Sequence, residues 1–322
     1  MTNGEGNAKV ILRKAKGYLL DVSYGEEGRK MRRWRRLIAG TVVLALLMVC
    51  LGGAGTALAK GPEDVPDPGP PPKGMAVKIF IHQEKEQGKP QDTEVATGGL
   101  TTDPSYSYGG ILWQDPNGAD NSGIPYYVNL NFSTLKSPNL TNTAARNAIT
   151  NSFRTWVDSQ DTKVLSTKGS LLYKDAGLTA LTGGRLDGKN VISWKPLRTG
   201  YIAVTYVWYY TATGYIAEFD ILLNNSYAWS YSEPNMTGVA YDPNGPANDG
   251  IGGTYGDPVN TGVTNTFDVR DIMTHEAGHT LMLNDLYDST DADLTMYGYA
   301  SYAELKKDTL GYGDFLGLNA IY

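Results

Sequence analysis

Thr274-His275-Glu276-Ala277-Gly278-His279-Thr280-Leu281-Met282-Leu283-Asn284-Asp285-Leu286-Tyr287-Asp288 holds two of the chain's three histidines, four residues apart, with a glutamate beside the first. On a helix that spacing stacks His275 and His279 one turn apart on the same face, where both imidazoles can reach one metal ion. Helicity is favoured locally: Asp268 is a suitable N-cap, and Val269, Met273, Ala277 and Leu281 form an apolar stripe on the side away from the histidines. With so few histidines, a pair at this spacing with an acid at the second place arises by chance with a probability of roughly 0.002. A catalytic zinc takes three protein ligands and leaves a position for water. His82 lies nearly two hundred residues upstream, so a carboxylate is the expected third ligand. Asp285 stands six residues beyond His279, where a chain turning out of the helix can bring it back; Asp288, Asp291 and Asp293 are further acids in the same loop. Glu276, turned about 100° from His275, is placed to take a proton from a water at the metal.

His275-Glu276-x-x-His279 followed by Asp285 resembles the extended zinc signature of the metzincin metallopeptidases, in the variant with Asp as third ligand. Leu294-Thr295-Met296-Tyr297-Gly298 resembles their Met-turn. With the strand GYIAEFDILLN (residues 214–224) and the closing GYGDFLGLNAIY (residues 311–322), the chain looks most like the matrixins over residues 105–322. The resemblance implies an α+β fold with a twisted mixed β-sheet, an active-site helix and a C-terminal helix. It also implies a zinc endopeptidase with Met296 as a hydrophobic floor beneath the metal. Extended peptide substrate would lie along an edge strand, for which IAEFDILLN is the candidate. Tyr297 and Tyr299 are candidates for donating a hydrogen bond to the tetrahedral intermediate. Where matrixins have Gly, this chain has Met282, although glycine suits a left-handed residue at a helix end; Asn284 is the alternative site for that turn. No cysteine follows Cys50, so the propeptide cysteine that holds matrixins latent has no counterpart. Glu304 matches the distant ligand of a thermolysin-like site, although Ser301-x-x-Glu304 also reads as a capping box.

Charge is divided unevenly along the chain. Residues 1–59 hold 10 of the 28 Lys and Arg but 4 of the 34 Asp and Glu, so they carry +6 and the other 263 residues carry −12. An acidic body argues against nucleic acid, whose backbone selects clustered Lys and Arg. Six basic residues between Arg29 and Arg36 precede an uncharged run of 23 residues, Leu37 to Ala59, ending in Ala57-Leu58-Ala59. This is the pattern of an export signal peptide, and an uncleaved anchor is its alternative. Met31 could itself start the signal, making residues 1–30 an extension. Membrane contact is expected only through this segment, and a peptide or protein substrate is the expected partner. Residues 60–74 hold six prolines and read as a stiff linker. Residues 75–104 begin with a short strand, MAVKIFIH, and read as a pro-segment or a strand added to the main sheet.

Within residues 105–322, YYVNLNF (126–132) alternates like a half-buried strand. Thr141 caps a helix whose Ala145, Ile149, Phe153 and Trp156 share a face. VISW (191–194) is a strand, and IAVTYVWYY with IAEFDILLN makes a hairpin. The loop from Tyr241 to Gly262 offers Asp242, Asn244, Asp249 and Asp257, oxygen donors that would suit a structural Ca²⁺, although an ordinary polar loop is the plainer reading. Asn131, Asn139, Asn224 and Asn235 are sequons. The rival to a peptidase is a catalytically inactive metzincin-like surface binding module, for which Met282 is the best support.

Overall fold

The computed structural model describes residues 65–85, 103–160, 171–233, 241–242, 253–254 and 261–322. The N-terminal segment read as an export signal, and all but the backbone of two short strands in the candidate calcium loop, lie outside them. Among the described residues no helix is long and apolar enough to cross a membrane.

Alternating and continuous apolar runs become strands, in chain order β1 (Met75–Glu84), β2 (Ile124–Asn129), β3 (Tyr173–Leu178), β4 (Asn190–Lys195), β5 (Tyr201–Tyr210) and β6 (Ile216–Asn224). Short pairs follow: β7 (Trp229–Ser230), β8 (Tyr241–Asp242), β9 (Gly253–Thr254), β10 (Phe267–Asp268) and β11 (Tyr299–Ala300). One sheet of seven strands has the order β11-β1-β5-β6-β4-β2-β3. Its ladders are parallel except for β1 with β5 and β5 with β6. Helices α1 (Asn142–Asp158), α2 (Val269–Thr280) and α3 (Tyr312–Ile321) complete a mixed α/β architecture, compatible with the expected α+β class.

The caps act as their residue types dictate. Thr141 accepts a hydrogen bond from the Ala144 N–H at the start of α1, and Ala145, Ile149, Phe153 and Trp156 are all buried. They meet Val128, Phe219 and Ile221 of the sheet and Ala277 of α2 in the main core. A second cluster covers the opposite face of the sheet, where Val204, Tyr206, Trp208 and Leu222 pack with Val77, Ile79 and Ile81 of β1. β5 is therefore enclosed on both faces and paired on both edges, which explains its nearly unbroken apolar run. Glu218 and Asp220 of β6 are buried too. They accept backbone N–H groups from residues 184–191, with Asp220 taking those of Gly184, Arg185 and Val191.

Three expectations change here. IAEFDILLN is not an edge strand, because β6 runs between β5 and β4. MAVKIFIH is a strand of the main sheet, one of the two readings given for it, and what changes is the boundary: the packed body begins before residue 105. The end of the Pro-rich stretch is also held: Val65 packs on the second cluster, and the Pro66 carbonyl accepts the Tyr206 hydroxyl at 2.7 Å.

Candidate metal centre

Asp268 anchors α2, its carboxylate accepting from the Arg270 N–H at 2.8 Å. The helix is buried on nearly every side, including the histidine face, so the expected separation into a core face and an open site face does not hold. Gly278 is required by proximity: a Cβ there would collide with Met296 Sδ and come within 2.7 Å of the Trp156 ring. Met296 is thus buried and packed against the helix at Gly278.

After Thr280 the chain turns sharply. Met282 itself takes the left-handed conformation, with φ of 66°, and its N–H closes onto the His279 carbonyl at 2.8 Å. The turn stays in the register a glycine would give, so Asn284 is not needed for it, and Asp285 comes back over the helix. Its Oδ1 lies 3.2 Å from His275 Nε2 and 3.4 Å from His279 Nε2, and the two Nε2 atoms are 3.1 Å apart.

The tautomers follow from the partners on the far sides of the rings. His275 Nδ1 lies 2.7 Å from the Thr295 carbonyl, and His279 Nδ1 lies 2.7 Å from the Leu283 carbonyl. A carbonyl can only accept, so each Nδ1 carries the proton and each Nε2 turns a lone pair inward. Two nitrogen lone pairs and a carboxylate oxygen then converge in a buried space, and Asp285 Oδ1 has no hydrogen-bond donor. Two imidazoles and one carboxylate form a donor set that could hold a divalent cation such as Zn²⁺. Protonation of His279 is the alternative to a cation: burial opposes charge on Asp285, but the imidazolium and hydrogen bonds from both rings hold its carboxyl far below its usual range, and Asp285 in return raises the His279 imidazole. Burial draws His275 down to about 4.

The ligand supports are supported in turn. Asp314, in the first turn of α3, accepts the N–H groups of Thr295 at 2.6 Å and Met296 at 3.0 Å, fixing the carbonyl that orients His275. Glu276 is fully buried beside the donors. Its Oε2 accepts the Thr205 hydroxyl of β5 at 2.5 Å, and its Oε1 lies 3.3 Å from His82 Nδ1. Desolvation raises its carboxyl to about 7.

Other candidates fall elsewhere. Tyr297 is buried under the Lys307 ammonium and against Tyr299, which in turn packs edge-on to Tyr287. Tyr287, not singled out by the sequence, is the tyrosine hydrogen-bonded to Asp285. Glu304 accepts the Ser301 N–H at 3.0 Å and the Lys307 ammonium at 2.7 Å, one half of a capping box, but no helix opens there: the next element is a 3₁₀ turn (Lys306–Asp308) whose N-cap is Leu305. Asp288 caps a second 3₁₀ turn, Asp293 pairs with Lys306 and Asp291 is buried nearby; none of these three joins the donor groups. Sequence reasoning also missed His82, Phe80, Thr205 and Asp314. Of these only His82 carried a signal, as the single histidine left over. Neither family models nor curated proteins give a match to this chain.

Proposed function

We propose that the chain is an exported zinc endopeptidase resembling the matrixins. The observation that carries this reading is the convergence of His275 Nε2, His279 Nε2 and Asp285 Oδ1, with both Nδ1 atoms committed to carbonyls. Zn²⁺ held by these three would supply Lewis acidity to a scissile carbonyl and lower the pKa of a neighbouring water. Glu276 takes that water's proton and returns it to the leaving amine. Thr205 keeps the carboxylate turned toward the site, and Asp314 keeps the Thr295 carbonyl on His275. Tyr287, Tyr297 and Tyr299 form the aromatic border on the Asp285 side, and a tyrosine hydroxyl there is the proposed donor to the tetrahedral intermediate. Peptide or protein is the proposed substrate, the basic N-terminal segment the proposed route out of the cell, and Ca²⁺ in the 241–262 loop a structural addition.

Metal analysis of the purified chain should give about one zinc per molecule, the stoichiometry of a single catalytic site. His275→Ala should lose it. Glu276→Ala should keep the metal and cleave no casein, and unchanged cleavage by Glu276→Ala would sink the mechanism. The inactive binding module remains as a second reading because Phe80 and His82 lie directly over the two imidazoles.

A further inference from the structure

β5 would form the edge of the sheet if β1 were absent, since β6 pairs with its other side. β1 fills that edge over eight consecutive antiparallel pairs, from Met75 opposite Tyr210 to His82 opposite Ala203. This is how an extended peptide adds to a sheet edge, gaining affinity from main-chain hydrogen bonds and specificity from alternate side chains. The alternation fits the site. Phe80 stacks on His279 with ring centres 4.1 Å apart and planes 7° apart, and His82 stacks on His275 at 3.8 Å. Lys78, on the same face, donates to the Gly109 carbonyl. Val77, Ile79 and Ile81 face the second cluster. A register shift falls between His82 and Gln83, where the strand passes Glu276.

His82 is fully buried, yet neither ring nitrogen has a hydrogen-bond partner. An unsatisfied buried polar group costs about 1–3 kcal/mol, so a strand present only for packing would be better served by an apolar residue. Its ring instead lies against the proposed general base and a candidate ligand, and with Phe80 it covers both imidazoles.

We propose that residues 75–84 occupy the substrate groove as a built-in, substrate-like strand that keeps the site closed until it leaves β5. The proposal rests on the peptidase reading and extends it to regulation: the enzyme folds latent, without a cysteine, and a competing strand must take the place of β1. Substrate affinity is then reduced by the small fraction of molecules with the groove open.

In the full chain, Ile79→Asp with Ile81→Asp removes the hold of β1 on the far face of the sheet and touches nothing at the site. Casein cleavage should rise about tenfold or more over the parent as the open fraction grows. A synthetic peptide of residues 75–84 should reverse the gain, and Glu276→Gln in the same background should abolish it. A parent that cleaves as fast as the variant overturns the latency alone. A zinc-loaded, folded variant that cleaves nothing removes the peptidase reading and the latency with it. Should the double variant fail to fold, Phe80→Ala with His82→Ala reports on the same contact without relying on activity. Zinc loss to dipicolinic acid should quicken about tenfold when the covering rings are gone, and an unchanged rate would overturn the proposal.

Discussion

Met282 is a residue whose identity and conformation disagree. Left-handed backbone at a non-glycine costs about 1–3 kcal/mol, yet the side chain is fully buried in the main core and its methyl lies against Gly109. Removing a buried methionine costs about 2–5 kcal/mol, so packing outweighs strain. Met282→Gly should therefore lower stability by about 1–3 kcal/mol while leaving zinc content unchanged, measured by urea unfolding beside metal analysis. A stabilised variant would mean that the strain dominates. At this scale the legibility of the site follows sequence distance. His275, Glu276, His279 and Asp285 fall within eleven residues, and helix periodicity plus one turn brings them together. His82 and Thr205 reach the same carboxylate from strands far away in the chain, and no local spacing encodes that meeting.

The caps and apolar stripes of α1 and α2 were legible because an N-cap and a 3.6-residue period are local properties. Strand order is not. IAEFDILLN was the edge candidate only through the family resemblance, whereas β6 is paired on both sides and its Glu218 and Asp220 accept backbone N–H groups of the loop before β4. α3 was legible only as the closing part of a family resemblance, and its contribution lies in Asp314, which accepts the N–H groups of Thr295 and Met296 behind the candidate metal site. Asp314→Asn replaces one accepting oxygen with an N–H₂ that faces N–H donors. It should slacken the Thr295 carbonyl and weaken zinc binding by about tenfold to a hundredfold, the usual effect of losing a support behind a metal-bound histidine. Competition with a chromogenic chelator measures this, and unchanged affinity would show that the carbonyl is held by other contacts.

Across the whole molecule, buried acids are common, and they set an unusual pH response. Desolvation lifts Asp220 to about 8 and Asp268 to about 7 against their backbone N–H donors, and Asp271 and Asp308 are pushed well above the carboxylate range. Each binds its proton more tightly folded than unfolded, so its stabilising contribution is complete below the ordinary value of 3.8 and is lost as pH rises through the folded value. His82 has the opposite sign, because burial holds it neutral, but that contribution changes only below its ordinary 6.5. Between pH 6.5 and 8 the acids therefore decide the slope. The free energy of unfolding should fall by at least about 2 kcal/mol over that interval through Asp220 and Asp268, with Asp271 and Asp308 adding to the fall. Urea titrations of the zinc-loaded chain at the two pH values measure the change. Asp220→Asn, which cannot ionise, should make the slope shallower whatever its own stability. A wild-type curve that is flat or rising from pH 6.5 to 8 would mean that the N–H groups of Gly184, Arg185 and Val191 outweigh the loss of water around Asp220.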